Sequence, residues 1–271
     1  MHDVEPAHAL SEADFALARR LIAQYAGIKL SEHKRFMVYN RLVKRLRALG
    51  LDDFGEYLRI VQTDPGAERM AFVNALTTNL TAFFREPHHF ELLAQRARLH
   101  AADRPLRAWS CACSTGEEPW SMAITLSDAG VRAQVLASDI DTDALARAEA
   151  GVYPAERAEP LAPAQLRKHF LRGTGDNEGW ISVRPELRAT VSFRQVNLQS
   201  TRWPPLEPFD AIFCRNVAIY FDRAAQMALL ARLGAVLRPG GLLCVGHAES
   251  FPAAHPAFRG CGRTAYEYHP V

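Results

Sequence analysis

The residues best suited to binding a ligand lie in the stretch Arg107–Ser121, which reads RAWSCACSTGEEPWS. A short apolar run of strand type, Leu106–Ser110, gives way to a series of small residues. The carboxylates Glu117 and Glu118 follow, and Pro119 then opens an amphipathic run. A strand, a turn of small residues and a helix together bring backbone N–H groups and a helix N-terminus up to a ligand. Proline suits a first helical turn because its missing N–H is not needed there.

The acids in this turn determine which ligands suit it. Only Gly116 remains of the dinucleotide-binding pattern G-x-G-x-x-G, and Glu117 and Glu118 would repel a pyrophosphate. A cationic or neutral ligand with hydroxyl or amino groups fits better, and S-adenosylmethionine combines a sulfonium, a ribose and an ammonium group. The alternative is an ordinary strand–helix turn, because acids are favoured at helix N-termini in any case.

Length, composition and cysteine usage exclude several classes of protein. The chain has 271 residues, 48% of them hydrophobic and 23% charged, which predicts a globular protein of two domains. No apolar run is long enough to span a bilayer, and residues 1–15 are too polar and acidic for a signal peptide. Five cysteines without framework spacing favour a reducing cytoplasm. Because Cys111 and Cys113 lack a second Cys/His pair at zinc spacing, we expect no metal site.

Most of the sequence up to about residue 80 has the apolar periodicity of helices, and capping residues predict where these helices begin and end. The predicted helices run from Ser11 to Gly27, from Ser31 to Gly50, and over about Asp53–Gln62 and Ala67–Leu80. The second helix carries six basic residues and no acid between Lys34 and Leu51, although the net charge of the chain is only +2. Such a stripe is either a solvated face or a surface for an anionic partner. The residues that we assign to partner binding are Lys34, Arg41, Lys44, Arg45 and Arg47.

A junction, Thr77–Phe90, reads TTNLTAFFREPHHF. An arginine directly after two phenylalanines is unusual for a plain linker, so Arg85 is a candidate functional residue. The alternative is that Phe83 and Phe84 pack the domains together while Arg85 points into water.

Strands and helices alternate after the junction. A second buried strand, Ala133–Ser138, ends at Asp139, which lies 23 residues after Gly116. That separation is close to the ~20 residues typical of a ribose-binding acid. Residues 154–187 interrupt the alternation with a short helix and a β-hairpin, and this predicts a small β-insertion.

The alternation then resumes and ends in a closing edge strand. The predicted elements are strands at Thr190–Phe193, Phe209–Cys214, Leu242–Val245 and Ala265–His269, and a helix at Ala224–Val236. Ligands of open parallel sheets bind beyond the carboxyl ends of the strands. Glu117, Asp139, Asn197, Arg215 and Asn216 all follow such ends, so we predict that they meet at one edge of the sheet.

Five segments resemble, in order and spacing, the CheR-type chemotaxis receptor methyltransferases: TTNLTAFFRE, WSCACSTGEEPWS, ASDIDTDAL, FDAIFCRNVAIYF and LRPGGLLCVGHAESF. The resemblance implies an α/β fold, with a Rossmann-like S-adenosylmethionine-dependent methyltransferase domain that carries a small β-subdomain and follows an all-α N-terminal domain. The domain limits that we expect are 1–82, with a receptor-facing basic helix at about 31–49, and 83–271, with the insertion at about 154–187.

The resemblance also implies a reaction, namely methyl transfer from S-adenosylmethionine to the γ-carboxylate of specific glutamates on the cytoplasmic helices of chemoreceptors, as in sensory adaptation. S-adenosylhomocysteine would be the second product, and the enzyme would be a cytoplasmic monomer that neither binds nucleic acid nor inserts into membranes. Arg85 and Tyr220 would lie nearest the transferred methyl group. The implied cofactor contacts are Asn79, Thr81, Arg85, Glu117, Asp139, Asn197, Leu198 and Asn216. We add Arg215 as a candidate cofactor contact, because it follows the same strand end as Asn216. The loop Arg172–Gly175 resembles members that dock on a receptor's C-terminal tail peptide.

Three other functions remain open. A methyltransferase of this fold could act on another protein carboxylate or on a small acid. A non-catalytic module could sense S-adenosylmethionine or act as a scaffold. Nucleic-acid methylation could use the basic helix on phosphates, but the sequence has no Asn-Pro-Pro-Tyr type motif for a flipped base.

Overall fold

The computed structural model describes residues 9–101 and 103–270. Residues 1–8 and Val271 lie outside this range. The predictions that residues 1–15 are not a signal peptide and that the first domain begins at residue 1 therefore fall partly outside the described residues. The chain divides into two compact units. The helical unit consists of the chain up to Thr78 together with the short segment Tyr220–Asp222. The second unit consists of Asn79–Ile219 and the residues from Arg223 onward. The segment 79–82, which the sequence analysis assigns to the first domain, is therefore grouped with the second unit.

Local capping explains the ends of the helices in the first unit. Ser11 Oγ accepts the Asp14 N–H at 3.1 Å, and the Asp14 carboxylate accepts the Ser11 N–H. Gly27 and Gly50 adopt the left-handed conformation that ends a helix. The last helix ends earlier than predicted, because Thr77 is already extended. The helices are α1 (Glu12–Ala26), α2 (Arg35–Leu49), α3 (Phe54–Thr63) and α4 (Ala67–Leu76), with a 3-10 turn at Glu32–Lys34.

The second unit contains the remaining elements. Its helices are α5 (His88–Arg98), α6 (Glu117–Asp128), α7 (Thr142–Ala150), α8 (Pro163–His169), α9 (Pro185–Arg188) and α10 (Arg223–Ala235). Its strands are β1 (Leu106–Ser110), β2 (Ala133–Asp139), β3 (Val152–Pro154), β4 (Phe170–Arg172), β5 (Trp180–Val183), β6 (Val191–Gln195), β7 (Phe209–Cys214), β8 (Leu237–Val245), β9 (Phe258–Gly262) and β10 (Ala265–Tyr268). None of the described helices has the length and apolar character needed to cross a membrane.

The larger sheet has the order β6-β2-β1-β7-β8-β10-β9 within the described residues. The strands from β6 to β8 are parallel to their neighbours, and β10 and β9 are antiparallel additions. The central strands β1 and β7 are almost entirely buried, as expected for a parallel sheet covered on both faces. Because β2 and β7 flank β1 on opposite sides, the strand order reverses at β1 and opens a crevice at its carboxyl end. This arrangement confirms the predicted fold class.

Three local expectations differ from the structure. The insertion is a three-stranded antiparallel sheet, β3-β5-β4, and its first strand begins at Val152, before the predicted limit of 154. The predicted closing strand is not at the edge of the larger sheet, because β9 lies outside it. The sequence of β9, FRGCG, has no apolar alternation that could have indicated a strand. Strand β8 begins at Leu237, before the predicted start at Leu242, so Arg238–Gly241 lie inside it.

Candidate functional site

The turn after β1 requires a glycine at one position. Gly116 has φ +99°, and a Cβ atom there would lie 2.6 Å from Tyr153 Oη and 2.8 Å from Ala148 Cα. A larger residue would therefore displace α6 from the β-subdomain and from α7. Tyr153 also donates a hydrogen bond from Oη to the Thr115 carbonyl at 2.7 Å. The glycine thus fixes the position of Glu117, the first residue of α6.

Asp139, at the end of β2, is hydrogen-bonded to the turn after β1. Its Oδ2 accepts the Ser114 N–H at 2.7 Å and its Oδ1 accepts the Asp141 N–H at 2.9 Å. Burial raises the pKa of this carboxyl group from 3.8 to about 6, against the opposing effect of those hydrogen bonds. We call the group formed by Ser114, Glu117, Asp139 and Asp141 the acid-lined turn.

Glu117 is only 1% exposed. Its Oε2 accepts the Thr115 hydroxyl at 2.7 Å, and its Oε1 lies 3.1 Å from Arg157 Nη2. The Arg157 guanidinium is an ion-pair partner without hydrogen-bond geometry, so Oε1 accepts no hydrogen bond among the described residues. A buried carboxylate oxygen without a donor fits a site whose ligand supplies one. Arg157 is not among the predicted site residues, because it lies in a short 3-10 turn with no recognisable sequence pattern.

Asn79 connects the junction to the acid-lined turn. Its Nδ2 donates to Asp141 Oδ2 at 2.7 Å, and its Oδ1 accepts the Ser114 hydroxyl at 3.3 Å. Thr81, two residues further on, is half-buried. Asn79 therefore lies beside the residues that follow β1 and β2.

Arg85 lies in a turn with unusual backbone conformation. Phe84 and Glu86, on either side of it, have φ values of +52° and +58°. Such angles are strained for non-glycine residues and concentrate at functional sites. The Arg85 side chain is half-buried, and its Nη1 donates to the Leu80 carbonyl at 2.7 Å.

Arg215 is buried among protein groups. Its Nη1 donates to Glu118 Oε2 at 2.9 Å, and its Nη2 donates to the Arg85 carbonyl and lies 3.4 Å from Glu86 Oε2. Glu118 also accepts the Ser110 hydroxyl at 2.7 Å. Burial raises the pKa of Glu118, and the Arg215 charge opposes this shift. The Arg215 guanidinium, which we predicted to contact the cofactor, contacts Arg85, Glu86 and Glu118. We call these three residues and Arg215 the arginine cluster.

Asn216 extends this cluster toward the end of β8. It has φ +58°, its N–H donates to Glu249 Oε2 at 2.9 Å, and its Nδ2 lies 3.4 Å from Glu86 Oε1. Glu249 is buried and also accepts the N–H groups of Gly246 and Ile219 at 2.6 and 3.2 Å. The sequence analysis missed Glu249 because a lone acid in a loop gives no signal of its partners.

Asn197 and Leu198 lie in the loop after β6. The Val196 N–H donates to the Asp139 carbonyl at 3.1 Å, which places this loop beside the end of β2. Asn197 Oδ1 accepts the Gln199 N–H at 2.8 Å, and the buried Leu198 uses its carbonyl to accept Arg232 Nη2 at 2.7 Å. The loop therefore has a defined position next to the acid-lined turn.

The remaining predicted site residues belong to the helical unit. Tyr220 ends the 3-10 turn Ala218–Tyr220, is half-buried, and accepts the Lys29 N–H on its carbonyl at 3.2 Å. In the basic helix, Arg41 donates to the Ala75 carbonyl at 3.3 Å, and Arg45 forms two hydrogen bonds with Glu68 at 3.0 and 2.7 Å.

These contacts divide the predicted basic stripe into two kinds of residue. Arg41 and Arg45 stabilise the packing of α2 on α4. Lys34, Lys44 and Arg47 are exposed, so the surface offered to an anionic partner is narrower than the sequence suggests.

The arrangement at the sheet edge combines two buried carboxylates with an open strand–helix crevice. Asp139 and Glu117 each retain acceptor capacity, which suits hydroxyl and ammonium donors. The same negative charges disfavour a phosphate group. The geometry therefore fits the cationic, hydroxylated type of ligand that the sequence predicts.

Comparison with known proteins gives this site a context. Residues 79–266 match the family model described as CheR methyltransferase, SAM binding domain, and residues 13–77 match the CheR methyltransferase all-alpha domain. A chemotaxis protein methyltransferase of Klebsiella aerogenes is 54% identical over 264 residues, covering 95% of this chain and 90% of that protein. The chemotaxis protein methyltransferase of Escherichia coli K12 is 51% identical over 263 residues, covering 95% and 91%. Chemotaxis protein methyltransferase 2 of Pseudomonas aeruginosa is 52% identical over 259 residues, covering 93% and 92%.

Proposed function

The chain belongs to the CheR methyltransferase family, and from this premise we propose that it methylates the γ-carboxylates of glutamates on the cytoplasmic helices of chemoreceptors. It is an S-adenosylmethionine-dependent methyltransferase of chemotaxis by family. The observation that best supports the proposal is the acid-lined turn, where the orphaned Glu117 Oε1 and the buried Asp139 lie at the carboxyl end of the central strands. Action on receptor helices would place the enzyme in the cytoplasm, and its monomeric state stays a prediction.

We assign the cofactor to the acid-lined turn and its neighbours. Asp139 would accept hydrogen bonds from ribose hydroxyls, and Glu117 Oε1 would accept one from a hydroxyl or ammonium group. Asn79, with Thr81 beside it, and the loop of Asn197 and Leu198 would border the same ligand. The negative charge of both carboxylates favours a sulfonium cation nearby.

The chemistry requires positioning more than acid–base catalysis. Bound S-adenosylmethionine supplies a methyl group on a positively charged sulfur. A glutamate side chain is already ionised at neutral pH, since its ordinary pKa is ~4.3, so no general base is needed. Alignment of the two reacting groups can contribute ~7–11 kcal/mol. The protein therefore has to orient the carboxylate and exclude water from it.

Arg85 is our candidate for orienting the incoming carboxylate. Among the described residues its guanidinium has one hydrogen-bond acceptor, the Leu80 carbonyl on Nη1, so Nε and Nη2 can bind a carboxylate. Tyr220, which belongs to the helical unit, stays a prediction from the family resemblance. We assign Arg215 a positioning role instead of direct cofactor binding, because its Nη2 contacts the Arg85 carbonyl.

Receptor recognition would use two surfaces. Lys34, Lys44 and Arg47 would face acidic receptor helices. The β-subdomain has a cleft of about 290 Å³ whose lining includes Arg172, Gly173 and Trp180, the last of these 46% exposed. Because β4 is an edge strand, a receptor tail peptide could add to it through backbone hydrogen bonds.

A labelling assay tests the proposal. The purified chain would be incubated with methyl-labelled S-adenosylmethionine and membranes that contain chemoreceptors. We expect label on receptor glutamates that alkali releases as methanol, because methyl esters hydrolyse in base. A parallel reaction with receptors whose candidate glutamates are alanine controls for other acceptors. Base-stable label, label on small acids only, or no label contradicts receptor carboxyl methylation.

A further inference from the structure

Three potential metal ligands converge where the junction enters α5. Glu86, His88 and His89 each place one ligand atom within 4.8 Å of the other two. His89 is fully buried, and the other two residues are half-buried. Glu86 also belongs to the arginine cluster through Arg215, whereas His88 and His89 have no role in the proposed methyl transfer.

Each of the three residues carries an unpartnered atom. Glu86 Oε2, His88 Nε2 and His89 Nδ1 are buried and have no hydrogen-bond partner among the described residues. Buried polar atoms are nearly always paired, so one orphan already needs an explanation. Three orphans in one cluster indicate a common missing group.

The surroundings of His89 fix which of its nitrogens carries the proton. His89 Nε2 lies 3.2 Å from the Arg263 carbonyl and 3.0 Å from Thr264 Oγ1. The Thr264 hydroxyl donates to that same carbonyl, so both groups act as acceptors toward the ring. Nε2 is therefore protonated and Nδ1 has the lone pair in the neutral ring.

The lone pair of His89 Nδ1 faces another lone-pair atom. Glu86 Oε2 is 3.7 Å away, and neither atom can donate to the other. A metal cation between the two atoms would replace their lone-pair repulsion with two favourable contacts. His88 Nε2 would complete a set of one carboxylate oxygen and two imidazole nitrogens.

The local charges also accommodate a cation. Arg215 Nη2 lies 3.4 Å from Glu86 Oε2, without hydrogen-bond geometry, and is the nearest fixed positive charge in the described structure. The carboxylates of Glu118 and Glu249 are buried on the same side, in contact with Arg215 and with the Asn216 N–H. His247 Nδ1 lies 3.2 Å from the other oxygen, Glu86 Oε1. Glu86 therefore supplies one negative charge to the site, and Arg215, which contacts it, is also paired with Glu118 at 2.9 Å.

We propose that Glu86, His88 and His89 bind a divalent transition-metal ion, for which Zn²⁺ has the matching ligand preference. Two imidazoles and one carboxylate are an established zinc ligand set, and they leave the fourth tetrahedral position to water. The Arg263 carbonyl, hydrogen-bonded to the opposite ring nitrogen, orients His89 as such partners do in metal sites. The ion would fix the N-terminus of α5 and the turn that carries Arg85.

Metal titration tests the proposal without reference to activity. Untagged protein, stripped with a chelator and then freed of it, would be titrated with Co²⁺ and afterwards with Zn²⁺. We expect one Co²⁺ per chain, with the intense visible bands of a four-coordinate site, and displacement of Co²⁺ by Zn²⁺. His88→Ala should weaken the affinity by about tenfold or more, whereas His33→Ala, at an exposed histidine of the helical unit, should not change it.

Circular dichroism and affinity for S-adenosylhomocysteine would show that each variant is folded, and His88→Asn replaces the alanine variant if that one is not. Absence of saturable Co²⁺ and Zn²⁺ binding by the wild-type chain overturns the proposal. Equal affinity in wild type and the His88 variant, or equal weakening in the His33 variant, overturns it as well.

Discussion

The acid-lined turn and the arginine cluster lie in the same unit but are built differently. In the acid-lined turn, Asp139 is held by backbone N–H groups of Ser114 and Asp141, which lie at or next to the ends of adjacent strands. In the arginine cluster, Arg215 is held by side chains and a carbonyl about a hundred or more residues away, at Glu118 and Arg85. The first region depends on backbone donors beyond the ends of neighbouring strands, and the second depends on buried long-range ion pairs.

This difference predicts different responses to substitution. Backbone donors cannot be removed by changing a side chain, so the geometry of the acid-lined turn should tolerate changes around it. A buried ion pair leaves an uncompensated charge when one partner is removed. Substitutions in the arginine cluster should therefore affect folding, whereas those in the acid-lined turn should affect ligand binding and its pH dependence.

The largest effect is expected for Arg215→Met. Its loss leaves Glu118 and Glu86 buried without their cation, and we expect the free energy of unfolding to fall by about 3–5 kcal/mol. Urea denaturation followed by circular dichroism measures this change. Arg47→Met, at an exposed arginine, is the control and should change the value by no more than about 0.5 kcal/mol. If both variants change the free energy of unfolding by a similarly small amount, the arginine cluster does not depend on its buried ion pairs as we propose.

Asp139 should make stability depend on pH. Its folded pKa of about 6 lies above the ordinary 3.8, so the folded state favours the protonated form. The resulting stabilisation is present below pH 3.8 and is lost as the pH rises through about 6. Relative to Asp139→Asn, the wild type should lose about 3 kcal/mol between about pH 4 and pH 7, at ~1.4 kcal/mol per pKa unit.

Urea denaturation at several pH values measures this difference, and the comparison of the two variants cancels the other carboxylates. Saturating S-adenosylhomocysteine should reduce it, because ribose hydroxyl donors favour the ionised carboxylate. A pH-independent difference would mean that Asp139 is solvated like a surface acid.

Arg85→Ala should separate catalysis from cofactor binding. We expect methyl transfer to fall by about 10²-fold, because the carboxylate loses its orientation. The affinity for S-adenosylhomocysteine, measured by calorimetry, should change by less than about tenfold, since the acid-lined turn is intact. Abolished cofactor binding would instead assign Arg85 to the cofactor, and Arg85→Lys would show whether charge alone is sufficient.

The smallest effect is expected on the basic helix. Reversing two exposed charges, Lys44→Glu with Arg47→Glu, should weaken receptor methylation by a few-fold and reduce its salt dependence. Arg59→Glu, at an exposed arginine of α3, is the matched control. Unchanged receptor kinetics in the double variant would identify the stripe as a solvated face.

The sequence predicts elements that local patterns define. Capping residues locate α1 and α2, and apolar runs locate β1, β2 and β7, because the interactions that form these elements act within a few residues. Because ligands of open parallel sheets bind beyond the carboxyl ends of the strands, the sequence also predicts that Glu117 and Asp139 lie at one edge of the sheet. Similarity to the family, more than any local pattern, selects Arg85 and Tyr220.

Other features could not be predicted because they depend on contacts distant in sequence. The pairing of Arg215 with Glu118 and of Arg45 with Glu68 requires the folded chain. β9 has no strand pattern and forms by pairing with β10. His88 and His89 are adjacent, unlike usual zinc spacings, so the sequence alone gave no indication of a metal site.

A crystal structure with S-adenosylhomocysteine tests the central claim most directly. We predict that the ribose hydroxyls donate to Asp139 and that a hydroxyl or the ammonium group donates to Glu117 Oε1. The guanidinium of Arg215 should remain on Glu118 without touching the ligand. A nucleoside bound elsewhere, with Glu117 and Asp139 in contact with solvent only, would contradict the account.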